Sequence, residues 1–380
     1  MSGITKKIVR TAEACGASAI SRTLHADQLL IVMYHGILPE RRTWDHWCQI
    51  PSDEFRWQIE YLKRHYDVLP LSEIITRRIA GQPLPPKCAA ITFDDGLRNN
   101  FEVAFPILRE LNVPATMYLA TGYIDTDALL WQDRLFAEIQ SFDSMELDLS
   151  SHNLGSHEWA NTASQQQVFD TLLARLKQLP VEHKNRILAD ICRQTRNAGL
   201  QNPTGHDFQL MSWDNASEML DSGLIEIGPH TVNHELLSRL DDDQIHSEIA
   251  DSHAAVLENL GTSSPTFAFP NGTRADYDQR VFAALKECGI PAAVTTVSGL
   301  NQTSQSILEL KRVGIGSDTE RWQFRAEVSG MMDCLRRLRS PNGETTDVNG
   351  PLTKDFPANA ADSSTEPTPQ LATTKASLPS

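Results

Sequence analysis

The chain has 380 residues, with 34 Lys+Arg against 49 Asp+Glu for a formal net charge of −15, and 40% of its residues are hydrophobic. An acidic excess of this size excludes a broad nucleic-acid interface, which needs positive charge to displace counterions from phosphates. No run approaches the ~20 consecutive apolar residues of a membrane-spanning helix.

Residues 1–26 form a helical lead with basic character (Lys6, Lys7), but Glu13, Cys15, Gly16 and Ser18 interrupt any apolar core, so no secretion signal is expected and a cytoplasmic location follows. Six cysteines (Cys15, Cys48, Cys88, Cys192, Cys288, Cys334) show no Cys-x-x-Cys spacing and read as ordinary thiols. From residue 27 to about 320, short apolar runs alternate with helical periodicity, the pattern of parallel strands with helices packed outside. Strands are predicted at 29–34, 88–93, 115–119, 226–228, 266–269, 292–296 and 310–313. Helices are predicted at 52–65, 100–111, 241–260 and 277–288. Residues 125–210 break the alternation with helical stretches at 129–141, 165–179 and 182–198, and read as a helical insertion placed to cap the strand C-terminal side. A short helix is expected at 321–340. From 341 onward, six of the 20 prolines, eleven Ser/Thr and Phe356 as the sole aromatic make a segment unable to bury enough apolar surface to order itself, a disordered tail.

Two short motifs carry chemistry. Ile91-Thr92-Phe93-Asp94-Asp95-Gly96 is an apolar strand running into two adjacent carboxylates and a glycine. Side chains alternate along a strand, so neighbouring aspartates share a site only where the backbone turns, which Gly96 permits. By itself, Asp-Asp-Gly is more often a plain turn. Gly228-Pro229-His230-Thr231-Val232-Asn233-His234 places two imidazoles four residues apart after another short strand. On one helical turn both rings would face the same way and suit one divalent ion, although isolated histidines at this spacing are usually surface residues. Their joint occurrence at the ends of strands of one sheet shifts the balance, and one carboxylate with two neutral imidazoles leaves open positions for water and substrate.

With Thr92 to Gly96 and His230 to His234, the sequence resembles the polysaccharide deacetylases that share the NodB homology domain, carbohydrate esterase family 4. Their first motif is Thr-Phe-Asp-Asp-Gly and their second His-[Ser/Thr]-x-x-His. The resemblance implies an α/β fold, a deformed (β/α) barrel of about seven parallel strands, here with the helical insertion. It implies hydrolysis of N-acetyl groups from an amino sugar or polysaccharide precursor, as in exopolysaccharide biosynthesis, with Asp94 as catalytic base and Asp95, His230 and His234 as metal ligands. Zinc is the expected metal, with cobalt, nickel or manganese as alternatives, and the expected partner is an N-acetylated sugar or polysaccharide.

Two departures matter. The family's third motif, Arg-x-Pro-[Tyr/Phe], reads Phe267-Ala268-Phe269-Pro270-Asn271-Gly272, so Ala268 stands in place of the arginine that normally holds the catalytic aspartate. Arg312 is the candidate substitute, although beside Lys311 it reads equally as a solvated cation. The family's Leu-x-Leu-His motif is absent, since no histidine follows His253. Instead Leu30 to Gly36 is an N-terminal strand ending in Tyr34-His35, like the element of circularly permuted poly-N-acetylglucosamine deacetylases, and His35 is the candidate general acid. Pro270, Asn271 and Tyr34 are candidates for substrate contact or support, with Trp131 and Trp213 as further aromatic candidates; the remaining histidines, His46 among them, read as surface residues. Two other readings stay open: hydrolysis of another non-peptide C–N bond, and an inactive sugar-binding descendant.

Overall fold

Apolar runs covered on both faces pair as parallel strands, because each needs neighbours that are equally covered. The structure, a computed structural model, describes residues 3–42, 46–198 and 205–339, so the tail expected at 341–380 lies outside the described residues. Besides a short parallel pair, Gly36–Leu38 with Gln49–Pro51, its parallel strands are β1 (Leu30–Tyr34), β2 (Asp67–Val68), β3 (Cys88–Phe93), β4 (Ala115–Leu119), β5 (Ile225–Pro229), β6 (Thr266–Ala268), β7 (Ala292–Val294) and β8 (Val313–Gly314). Every residue of β1, β3 and β4 is buried.

The central sheet runs β8-β1-β3-β4-β5, all parallel, with β2 paired to the start of β3. A second parallel pair, β6 and β7, stands beside it. The segment that leads into β8 joins the two: Leu310 bridges Val294 of β7, and Val313 pairs with Val32 of β1. On the other side β5 and β6 meet without a ladder, through the Ser264 N–H donating to the Ile227 carbonyl at 2.7 Å. The result is the deformed barrel that the resemblance implies, with its strand C-terminal ends gathered on one side.

The predicted helix at 100–111 begins instead as a π-turn, Asn100–Ala104, before the α-helix Phe105–Leu111. Pro106 explains the widening, since it has no N–H for the helical ladder and its ring crowds the carbonyl four residues back. The turn is put to use next to β1: Asn100 Nδ2 donates to the His35 carbonyl at 2.5 Å, and Asn99 Oδ1 accepts from the Ile37 N–H at 3.1 Å.

The inserted region is not wholly helical. Beside helices Trp131–Gln140, Thr162–Leu176 and Val181–Asn197 it holds an antiparallel hairpin, Met145–Asp148 with Ser156–Trp159. Each hairpin strand buries one side chain, Leu147 or Trp159, so the sequence showed no apolar run to mark it. These elements share a core of their own around Phe136, Trp159, Phe169, Leu172 and Ile191. The region leaves the barrel after the C-terminal end of β4 and rejoins it at Leu210, which bridges Leu97 just past the end of β3, before helix Trp213–Asp221 leads back to the start of β5. Elsewhere the lead forms helices Gly3–Ala14 and Ala17–Leu24, and Val9 packs on Trp322 and Ala326 of helix Arg321–Val328.

Candidate active site

β3 delivers the two aspartates and then turns sharply. Asp95 (φ 75°) and Gly96 (φ 81°) both take the left-handed conformation, and a Cβ on Gly96 would sit 2.7 Å from Leu119 Cδ2. The turn sends the neighbouring carboxylates to different partners. Asp94 is gripped by Arg312, whose Nη1 and Nη2 donate to Oδ1 and Oδ2 at 2.7 and 2.6 Å. The guanidinium also donates from Nε to the Thr295 carbonyl (2.8 Å) and from Nη1 to Thr92 Oγ1 (3.1 Å). Arg312 is 0% and Asp94 2% exposed, so this is a buried, two-pronged ion pair rather than a solvated cation beside Lys311. Burial by itself would raise the Asp94 carboxyl, but the charge of Arg312, with His230, outweighs it and holds Asp94 below the ordinary carboxylate range. Ala268, at the arginine position of the third motif, is a buried core residue of β6, and Arg312 brings its guanidinium from the strand-joining segment on the far side.

Asp95 faces the imidazoles. Its Oδ1 lies 3.2 Å from His234 Nε2 and 3.6 Å from His230 Nε2, and the two rings stand 4.8 Å apart at 70°. One ligand atom from each of the three residues falls within 4.8 Å of the others, and all three side chains are buried. Burial would raise the Asp95 carboxyl, yet hydrogen bonds from the two imidazoles hold it well below its ordinary value. The imidazoles do not share a helical turn as their spacing suggested. The segment is an irregular loop in which Thr231 (φ 66°) and His234 (φ 54°) are left-handed. For the β-branched Thr231 that is a strained backbone, offset by its Oγ1 accepting the His234 N–H at 3.0 Å and its carbonyl accepting the Thr121 N–H at 3.0 Å. His230 Nδ1 donates to the Ala268 carbonyl at 2.7 Å, which turns Nε2 toward the site, to donate to Asp95 when protonated and to offer its lone pair to a cation when not.

His35 leaves β1 beside these groups, its ring edge-on to Trp47 at 4.7 Å and its Nδ1 buried without a protein partner. Burial lowers its pKa, with the Asp95 and Asp94 carboxylates partly opposing. Pro270 is buried, and both polar ends of the Asn271 amide are engaged within the protein, by Lys177 Nζ (2.6 Å) and Asp276 Oδ2 (2.6 Å), so Asn271 braces its loop. Tyr34 does not face the site. It is 0% exposed, between Phe55 and Phe93 in the core, and a ring so enclosed has no face to offer a sugar.

Several residues near the site had no local signal in the sequence. Gln132, from the first turn of helix Trp131–Gln140, lies 3.3 Å from His234 Nδ1. Lys184 of the insertion bonds Glu235 at 2.5 Å and lies 4.7 Å from the Trp131 ring centroid, which places Trp131 under a cation. His46 is not a surface residue: it is enclosed by Phe136 and Phe208, with Nδ1 3.0 Å from Cys48 Sγ, and burial lowers its pKa to about 3. Asp133 lies 3.9 Å from His46 Nε2, and burial, followed by the Asp95 charge, raises it well above the carboxylate range.

The family model for polysaccharide deacetylases matches residues 81–293, more than half of the sequence and both motifs. The chain belongs to the polysaccharide deacetylase family. This family hydrolyses the N-acetyl amide bonds of sugars. Among relatives of this deacetylase, the Bacillus subtilis protein YxkH, described as a polysaccharide deacetylase, is 27% identical over 83% of the chain and 81% of its own length. The poly-β-1,6-N-acetyl-D-glucosamine N-deacetylase of Staphylococcus epidermidis is 36% identical over 20% of the chain and 26% of its own length. In structure, the deacetylase resembles Streptococcus pyogenes PplD solved with acetate (TM-score 0.52, 17% identity, 79% of this chain and 98% of that one) and IcaB from Ammonifex degensii (TM-score 0.52, 19% identity, 80% and 97%), which shows a common fold. The Asp95, His230 and His234 donors fit a divalent cation, because a carboxylate and two imidazoles converge there with both ring orientations held by neighbours. Among the described residues no helix is long and apolar enough to cross a membrane.

Proposed function

We propose that this polysaccharide deacetylase is a metal-dependent N-deacetylase of an amino-sugar polymer or its precursor, with Asp94 as base, His35 as acid, and Asp95, His230 and His234 holding a divalent metal, zinc being the best fit. The observation that carries the reading is the division of labour between adjacent carboxylates: Asp94 pinned by Arg312, Asp95 turned to two imidazoles. A structural turn has no use for a carboxylate held ionised in the interior beside a ligand set. A cation at the triad would supply Lewis-acid polarisation of the acetamide carbonyl and make a water more acidic. Asp94, kept charged by Arg312, accepts the proton of the attacking water at a carboxylate oxygen. His35, whose protonation the Asp95 and Asp94 carboxylates favour against burial, gives that proton to the departing sugar nitrogen and is left neutral. The names of the Staphylococcus epidermidis and Escherichia coli relatives support poly-β-1,6-N-acetylglucosamine as the substrate class.

Two substitutions test the roles. Asp94→Asn keeps zinc and loses acetate release from acetylated glucosamine oligosaccharides, whereas His230→Ala loses both. Equal loss of zinc in the two variants would overturn the assignment.

A further inference from the structure

An imidazole that ligates through Nε2 needs its Nδ1–H satisfied by an acceptor, which fixes both the tautomer and the ring orientation. His230 meets this need through the Ala268 carbonyl, which can only accept. The group that faces His234 Nδ1 is the amide of Gln132 at 3.3 Å, carried in from the insertion across 102 positions of sequence. With the amide nitrogen toward the ring, Gln132 Oε1 is buried without a partner. Turning the amide over puts Oε1 on the His234 Nδ1–H, satisfies the orphaned acceptor and leaves the Nε2 lone pair for the cation. The same side chain therefore serves either tautomer.

We propose that Gln132 is a positioning residue for His234, through which the insertion sets the metal affinity of the site. The proposal rests on the metal-dependent reading above. The insertion is built to hold this contact still. Trp131 is buried beside Gln132 and carries Lys184 over its ring, and Lys184 in turn bonds Glu235, the residue after His234. His234 is thus fixed from its ring by Gln132 and from its chain neighbour by Lys184, both from outside the motif that contains it.

The test is a titration of the full chain with zinc alone against a chromophoric chelator at neutral pH. Gln132→Leu fills a similar space without an acceptor and should bind zinc about 10–100-fold more weakly than the parent, the usual effect of losing such a partner. Gln132→Glu keeps an acceptor oxygen at the same reach and should stay close to the parent or exceed it. Imidazole ¹⁵N shifts of the zinc-loaded parent should show His234 protonated at Nδ1. Parent-like affinity in Gln132→Leu, or Gln132→Glu as weak as Gln132→Leu, would overturn the role of Gln132 while the metal site stood. A parent that binds no zinc would instead remove the metal-dependent reading and this inference with it.

Discussion

Arg312→Met tests the electrostatic arrangement on which the base depends. The substitution leaves Asp94, 2% exposed, without its two guanidinium donors. Removing one partner of a buried ion pair costs about 3–5 kcal/mol, and the Thr295 carbonyl also loses the Nε donor, a further cost of about 1–3 kcal/mol for a buried acceptor left bare. Upward of about 4 kcal/mol is a large share of the about 5–15 kcal/mol that holds a domain folded. Arg312→Lys keeps the charge but not the fork and should fall between parent and Met variant. The pH dependence has a definite sign. A carboxyl held below its unfolded value of about 3.9 stabilises the fold above that pH and loses the contribution as pH falls through the folded value. Without Arg312, burial is opposed only by the His230 and His35 imidazoles and raises Asp94 relative to the parent, so the variant takes up a proton more readily and is relieved as pH falls from 7. Urea unfolding from pH 7 to pH 4 should therefore show a gap between parent and Arg312→Met that narrows on acidification. A gap under about 1 kcal/mol at pH 7, the worth of an exposed pair, or one that stays constant with pH, would refute the reasoning.

The remaining predictions concern the acid and the insertion. His35→Ala should lower turnover about 10²–10⁴-fold with zinc content unchanged, and a loss of only a few-fold would remove His35 from the proton path. Leu172→Ala, at a fully buried position of the insertion core, should cost about 2–5 kcal/mol by calorimetry. A cost under about 1 kcal/mol would mean that this core is not packed as described.

Much of the fold was legible because its strands are apolar runs, buried on both faces and bounded by turns, as at 88–93 and 115–119. β2 was missed because two residues, Asp67 and Val68, make no pattern, and the insertion hairpin because each of its strands buries one side chain. At the site, Asp94, Asp95, His230 and His234 announce themselves through two short motifs, but the loop that joins the imidazoles depends on left-handed backbone at Thr231 and His234, which no spacing rule encodes. Arg312 was named as the candidate substitute but read equally as a solvated cation, and only the joining segment, which carries it to Asp94 218 positions away, separates the two readings. Gln132 and Lys184 reach the site by the docking of the insertion, a long-range event that leaves no local trace. Tyr34 shows the converse error: an aromatic next to a site histidine drew attention, yet strand alternation and burial turn it into the core.

Acetate release from an N-acetylated β-1,6-glucosamine oligosaccharide, followed through chelation and restoration of zinc, tests the central claim most directly. A metal-dependent deacetylase should release acetate, stop after chelation and recover when zinc returns. Turnover that survives complete removal of metal, or zinc bound at the triad with no acetate released, would contradict it.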